Sequence, residues 1–136
     1  MITSFPTPPG YVPHFDLSRL RLAVRALQPD LVAWRRHLHQ RPELGFQEKR
    51  TAAFIADRLD RWGIDYEAGV AGTGIVAVVS GRSAGPTLAV RADMDALPIE
   101  ELNETAYRSQ EPGKMHACGH DGHTAIALGL AKYLSQ

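Results

Sequence analysis

The sequence predicts an α/β fold, in which a layered, mostly parallel or mixed sheet has helices on both of its faces. Three observations support this prediction: helical periodicity up to residue 62, short apolar runs typical of strands between residues 64 and 98, and a final apolar helix. With 136 residues, the chain is long enough for one domain with its own core.

Helical spacing dominates the first half of the chain. Apolar residues recur every three or four positions over 16–27, and Pro29 is expected to open a second helix that ends near His39. The same spacing predicts a helix over 48–62, with Gly63 as its C-terminal cap.

The period changes after this helix. Residues 64–70 are consistent with a short strand, and the apolar run at 75–79 predicts a strand that is buried on both faces. A third strand is expected to begin at residue 86 and to end at Pro98. Side chains alternate along a strand, so three polar residues should share one of its faces: Arg91, Asp93 and Asp95.

The two ends of the chain differ in character. Four prolines at 6–13 predict an extended, poorly ordered tail over residues 1–15, which leaves 16–136 as the domain. The last helix is expected over 122–134. It is apolar on nearly all sides, so it should be covered on several of them.

Composition excludes several classes of partner. Lysine plus arginine and aspartate plus glutamate number 15 each, so the net charge of zero favours neither nucleic acid nor an anionic membrane surface. No apolar run approaches the ~20 residues of a transmembrane helix, and the first residues lack the pattern of a secretory signal. A single cysteine cannot form an internal disulfide, which favours the cytoplasm.

Residues 114–125, KMHACGHDGHTA, hold the only cysteine and three of the six histidines. Cys118 and His120 are separated by one glycine, so in an extended loop their side chains would converge. Thiolate and imidazole are good ligands for zinc and related metals, which predicts a metal site. The alternative is a small core cysteine beside surface histidines.

The neighbouring polar residues allow more than one role. His116 and His123 are interpreted as structural, substrate-facing or supporting residues rather than ligands. Asp121 is expected to cap the last helix. Asp93 and Asp95 would lie at the end of a strand, where catalytic groups gather in open α/β sheets. Glu100 and Glu101 are expected to face solvent.

Three segments resemble one family of metallohydrolases. They are RRHLHQRPELGFQE at 35–48, RADMDALPIEE at 91–101 and MHACGHDGHTA at 115–125. In order and spacing they resemble the aminoacylase and hippurate hydrolase branch of the zinc-carboxypeptidase-like amidohydrolases, which includes the auxin-conjugate hydrolases. The resemblance runs from about residue 31 to residue 134.

This resemblance implies a site with two divalent ions, either zinc, manganese or cobalt. Cys118 is then the thiolate that bridges them, His120 is a ligand of one ion, and Asp95 is a catalytic residue that orients a ligand or water. Asp93 occupies the position of a histidine ligand in the peptidase branches, which favours the aminoacylase-like branch. The implied reaction is hydrolysis of an N-acyl amino acid, a small molecule, to a carboxylic acid and an amino acid.

The resemblance also implies that the chain is a truncated, N-terminal part of such an enzyme. In the family, a downstream glutamate pair supplies the general base and a ligand, later histidines complete the site, and a smaller domain is inserted. Residues 124–136 contain no aspartate, glutamate or histidine. We therefore expect no general base in this chain and no activity from it alone.

Two other functions remain open. A non-catalytic half-domain would bind a metal or a partner chain through its uncovered apolar surface, which also predicts homo-oligomers. A structural zinc site of Cys118, His120 and His123 would need a fourth ligand, for which His116 is the nearby candidate. That site would lack the usual Cys-x-x-Cys spacing.

Overall fold

A computed structural model describes residues 16–136, so the tail predicted at 1–15 lies outside the described residues. The first and last helices pack on each other, and the second helix contacts both strands and the last helix. Among the helices of this part of the chain, none has the length and hydropathy needed to cross a membrane. The elements in chain order are α1 (Leu17–His39), α2 (Lys49–Arg61), β1 (Asp65–Val70), β2 (Gly74–Val78) and α3 (His120–Leu134).

The prediction of two helices separated at Pro29 is wrong, because residues 17–39 form one continuous helix. The Asp16 side chain caps its first turn by accepting hydrogen bonds from the backbone N–H groups of Ser18 and Arg19, at 3.0 and 3.2 Å. A proline removes one backbone hydrogen bond, whereas ending and restarting the helix would leave several backbone groups without partners. The continuous helix is therefore favoured.

The second helix ends as its sequence predicts. Gly63 has φ of 63° and follows the last turn of α2 in the left-handed conformation. Its N–H donates to the carbonyl of Asp60 at 3.0 Å, and the N–H of Ile64 donates to the carbonyl of Leu59 at 3.0 Å. These two bonds form a Schellman motif, so the predicted glycine cap is confirmed.

The start of α2 depends on Glu43, a buried carboxylate that lies outside the helix. Its Oε2 accepts hydrogen bonds from the backbone N–H and hydroxyl of Thr51, at 2.8 and 3.0 Å, and its Oε1 accepts two from Arg50. Burial alone would raise the pKa of Glu43, but the hydrogen bonds from Thr51 and Arg50 outweigh burial and hold that pKa below its ordinary range. Glu43 therefore replaces the missing side-chain cap of α2.

The core lies between α1 and α3. A Cβ atom added at Gly129 would lie 2.5 Å from Cδ2 of Leu31, so the glycine permits the close approach of the two helices. At one edge, Nζ of Lys132 lies 2.7 Å from Oδ2 of Asp30. The buried centre consists of Trp34, Ala125 and Leu128, surrounded by the partly buried Leu31, Phe54, Ile55 and Trp62.

The predicted strand at 64–70 is confirmed as β1, which pairs with β2 in an antiparallel hairpin. The prediction that the apolar run of β2 is buried on both faces is wrong, since Val76 is 53% exposed and Val78 is 63% exposed. The hairpin is a two-stranded sheet, and within residues 16–136 no third strand pairs with it.

The strand predicted from residue 86 to Pro98 is also absent from the described part of the chain, and Leu88 is 86% exposed. A strand requires a ladder of backbone hydrogen bonds, and this segment makes only two isolated bridges. One bridge is parallel and the other antiparallel. They pair Leu44 with Ala96 and Leu97 with Met115.

The last helix begins at His120, two residues earlier than predicted. The expectation that it is covered on several sides is wrong in the described structure. Its buried face packs on α1, whereas Ile126 is 65% exposed and Leu134 is 55% exposed. The exposed side of α3 borders an open cleft of about 640 Å³ that also touches β2 and residues 88–95.

Glu43→Gln should lower the free energy of unfolding at neutral pH by about 1–3 kcal/mol, because a carboxamide is a weaker acceptor for Thr51 and Arg50. The folded-state pKa of Glu43 is lowered, so its stabilisation is complete above about pH 4.5 and is lost as the pH falls through the lowered value. Urea unfolding at neutral pH and in acid measures both effects. Glu104→Gln is the matched control at an exposed carboxylate. An equal loss at both pH values would contradict the prediction.

Candidate functional site

Two groups of polar side chains meet at the N-terminus of α3. We call one the loop group, which surrounds the turn that leads into the helix. We call the other the buried network, which joins that helix to α1. The loop group comprises Asp93, Asp95, Cys118, His120 and His123, and the buried network comprises Arg35, His39, Glu101 and Asp121.

Backbone hydrogen bonds place the segment before Ala96 beside the turn. The N–H of Ala96 donates to the carbonyl of Glu43 at 2.7 Å, and Leu97 and Met115 exchange two hydrogen bonds of 3.0 Å. Because Met115 directly precedes the turn, these bonds bring Asp95 next to the first residues of α3.

His120, the first residue of α3, faces Asp95. Its Nδ1 lies 2.9 Å from Oδ1 of Asp95 and 3.1 Å from the backbone oxygen of the same residue. With the proton on Nδ1, His120 donates to Asp95, and the lone pair of Nε2 points to the opposite side of the ring. Carboxylate–histidine pairs of this kind orient histidine ligands in metalloproteins.

The single cysteine lies in the turn that precedes α3, and its thiol is free and exposed. Gly119 follows it with φ of 82° and ψ of 20°, a left-handed conformation that residues with a side chain rarely adopt. Its carbonyl accepts hydrogen bonds from the N–H groups of Gly122 and His123 at 2.9 and 3.2 Å. The convergence of Cys118 and His120 on one point stays a prediction.

Asp93 is paired with Arg91. The two side chains were predicted to project from the same side of their segment, which is compatible with this contact. Oδ1 of Asp93 lies 2.7 Å from Nη2 and 3.0 Å from Nε of Arg91, and this hydrogen-bonded pairing holds the pKa of Asp93 below its ordinary range. The hydroxyl of Thr124 donates to the backbone carbonyl of Asp93 at 3.2 Å. The rings of His120 and His123 lie 5.5 Å apart, so both Asp93 and His123 border the site around His120.

The buried network centres on His39, which is 3% exposed. Its Nδ1 lies 2.7 Å from Oδ2 of Asp121, and its Nε2 lies 3.1 Å from Oε1 of Glu101. Nε of Arg35 lies 2.7 Å from the same Oδ2 of Asp121. One imidazole therefore joins α1 to the first turn of α3 and to the segment that carries Glu101.

The expectation that Glu101 faces solvent is wrong, because its side chain is 2% exposed. Besides the contact with His39, it accepts hydrogen bonds from the N–H of Ser109 at 2.6 Å and from the amide of Asn103 at 3.3 Å. Burial raises the pKa of Glu101, but the hydrogen bonds from Ser109, His39 and Asn103 outweigh it and lower that pKa. Glu100 remains exposed, as predicted.

Asp121 does not cap α3, because it lies inside the first turn and is 1% exposed with its carboxylate turned towards α1. Its Oδ1 and both ring nitrogens of the buried His116 have no hydrogen-bond partner within residues 16–136. Burial lowers the pKa of His116 below its ordinary value, although the negative charge of Asp121 acts to raise that pKa. Both ring nitrogens of His116 are therefore buried without a hydrogen bond, close to the charge of Asp121.

A metal would find only part of a site in this segment. No group of three or more cysteine, histidine, aspartate or glutamate side chains suited to a metal ion occurs between residues 16 and 136. The donors of the loop group nevertheless have the right chemistry: a free thiol at Cys118, and an imidazole at His120 whose far nitrogen is left available by Asp95.

The sequence patterns did not identify Arg35, His39 and Glu101 as site residues. One signal was present, since Arg35 and His39 are four residues apart and so share one face of α1. Periodicity counts only apolar residues, so a buried polar face in a helix passes unnoticed until its partners are known.

Residues 89–136 match peptidase family M20/M25/M40. Among curated relatives, an N-acyl-L-amino acid amidohydrolase from Geobacillus stearothermophilus is 48% identical over 117 residues, which cover 86% of this chain and 32% of that protein. The IAA-amino acid hydrolase ILR1-like 5 of Arabidopsis thaliana is 48% identical over 106 residues, which cover 78% of this chain and 24% of that protein.

A solved structure from Bacillus subtilis, described as a dinuclear metal binding peptidase from the M20 family, superposes with a TM-score of 0.78 at 43% identity. The match covers 82% of this chain and 32% of that one. This similarity confirms the α/β fold class. The chain spans about a quarter to a third of the length of these relatives.

Replacing each of the two buried histidines by leucine should have opposite results. His116→Leu should leave the free energy of unfolding unchanged or raise it, because it removes two buried nitrogens that lack partners. His39→Leu should lower it by about 3–5 kcal/mol, because Asp121 and Glu101 lose their shared partner. Urea unfolding of the two variants measures the difference. A comparable loss in both would show that His116 has a polar partner.

Proposed function

Since this chain belongs to peptidase family M20/M25/M40, we propose that it is the N-terminal part of a metal-dependent amidohydrolase. The proposed reaction converts an N-acyl amino acid and water to a carboxylic acid and a free amino acid. The observation that carries this proposal is the pairing of His120 with Asp95, two residues after the exposed thiol of Cys118. If this turn only served to begin α3, it would need neither an oriented imidazole nor a free thiol.

Within the proposed site, the residues of this chain hold and orient the metal. Cys118 would hold metal through its thiolate, and His120 would hold it through Nε2. Asp95 fixes the tautomer and ring orientation of His120 by accepting a hydrogen bond from its Nδ1–H group. Bound divalent ions polarise a substrate carbonyl and lower the pKa of water to near neutrality.

The proposed substrate class follows the relatives, which include hydrolases of N-acyl amino acids and of IAA-amino acids. The open cleft beside α3 is suited to binding the acyl group of such a substrate. Asp93 and Asp95 line it, and most of its other lining residues are apolar. The metals proposed are zinc, manganese or cobalt. A reducing compartment such as the cytoplasm would keep Cys118 a thiol.

Metal binding should depend on these residues to different degrees in the protein expressed from its complete gene. Asp95→Asn should weaken zinc binding about 10–100-fold, because the amide orients His120 less well. Cys118→Ser removes a direct ligand, so the loss should exceed that of Asp95→Asn. Competition with a chromophoric chelator measures both affinities.

Glu104→Gln serves as the control in that titration, since this carboxylate is exposed and far in sequence from the turn. Equal zinc affinities for Cys118→Ser and the unsubstituted protein would contradict the assignment of the bridging ligand.

The chain of 136 residues by itself should not hydrolyse N-acetyl amino acids, even with zinc, manganese or cobalt added. A positioned general base contributes about 10²- to 10⁴-fold to such reactions, and the carboxylates nearest the turn are engaged: Asp95 with His120, and Asp121 with Arg35 and His39. A ninhydrin assay of released amino acid measures turnover. Turnover that is abolished by Cys118→Ser would show that a base is recruited from these residues or from a second copy.

The exposed apolar residues favour a second candidate function, the binding of a partner chain by a non-catalytic half-domain. Leu88 and Leu134 line the cleft, whereas the exposed valines of β2, Val76 and Val78, lie on the other face of the hairpin. Such patches mark interaction surfaces or aggregation-prone surfaces. Zinc-independent assembly without hydrolysis by the complete gene product would favour this alternative.

A further inference from the structure

The proposed function uses the loop group and leaves the buried network without a role. We propose that Asp121 and His39 are positioning residues, whose contact sets the rotation of α3 and so aims His120 at the metal. This inference rests on the proposed function, because it concerns how the same site is held.

Asp121 directly follows His120 in the first turn of α3. Consecutive residues of a helix point about 100° apart. The carboxylate of Asp121 points to α1, where Oδ2 lies 2.7 Å from Nδ1 of His39 and 2.7 Å from Nε of Arg35. His120 then points towards Asp95 on a neighbouring side of the helix.

The contact is directional in a way that the apolar core is not. The core between α1 and α3 already holds these helices together through Trp34, Ala125 and Leu128. Packing of such residues tolerates small rotations and shifts, whereas a hydrogen bond weakens steeply as its angle departs from linearity. Two hydrogen bonds to one carboxylate oxygen therefore fix the rotation of the first turn of α3.

The opposite side of the imidazole is fixed as well. Nε2 of His39 lies 3.1 Å from Oε1 of Glu101, whose other oxygen accepts the N–H of Ser109 at 2.6 Å. Tyr107 lies edge-on to the same ring, with centroids 5.7 Å apart. With both of its nitrogens and its edge held, His39 presents Nδ1 to Asp121 in one orientation.

The single cysteine provides a direct measurement, since a bound metal protects Cys118 from alkylation. The protein expressed from its complete gene is treated with iodoacetamide over a range of zinc concentrations. The protein is also loaded with cobalt, and the thiolate-to-cobalt charge-transfer band is recorded. The variants are Asp121→Asn and His39→Gln. Glu43→Gln is the matched control, because it too disrupts a buried carboxylate network but lies at the start of α2.

In both network variants, the zinc affinity should be about 10–100-fold weaker, as is found for other residues that orient a metal ligand. The thiolate-to-cobalt charge-transfer band should also be shifted or weakened. Glu43→Gln should keep the affinity and band of the unsubstituted protein even where its urea midpoint falls. If Asp121→Asn does not fold, His39→Gln decides, since it breaks the same contact from the other helix.

Three other outcomes would overturn the inference. Unchanged zinc protection in both network variants would show that the network only stabilises the fold, and the proposed function would stand. A loss in all three variants that follows the loss of stability would show a general effect rather than positioning. If zinc does not protect Cys118 in the unsubstituted protein, the metal site itself is wrong and the inference falls with it.

Discussion

The hydrogen-bonded contact between His39 and Asp121 joins the two ends of the described chain, 82 positions apart in sequence. Both groups are almost fully buried, so neither can turn to water if the contact is lost. A buried carboxylate without a cationic or hydrogen-bonding partner is strongly unfavourable, which makes the approach of α1 to the first turn of α3 obligatory. The turn that carries Cys118 ends beside this contact.

A second buried carboxylate, that of Glu43, organises the part of the molecule around the start of α2. Glu43 holds the start of α2 through Thr51 and Arg50, while its own backbone carbonyl accepts the N–H of Ala96. The side chain of Glu43 therefore fixes the start of α2, whereas its backbone oxygen, which a side-chain substitution leaves in place, contacts the segment that carries Asp95. The buried network holds the first turn of α3, and this backbone contact holds the segment before Ala96.

The site and the sheet differ in how complete they are within the described residues. The turn before α3 has an oriented imidazole and a free thiol, with hydrogen bonds that fix its backbone. The sheet consists of one hairpin, and the segment that carries Asp93 and Asp95 has no ladder of hydrogen bonds. The local turn holds its shape through contacts among neighbours in sequence, whereas strands depend on partners that are distant in sequence.

The sequence by itself determined the features that depend on local physics. The helix of α2 with its Gly63 cap and the strand β1 follow from spacing and residue chemistry. The metal-ligand role of Cys118 and His120 stays a prediction from the same kind of pattern. Tertiary structure decided the rest. Only the packing of α1 on α3 shows that Glu101 and Asp121 are buried partners of His39 rather than a solvent-facing residue and a helix cap. Burial of a charged residue depends on a partner that is distant in sequence, so no local pattern in the sequence can reveal it.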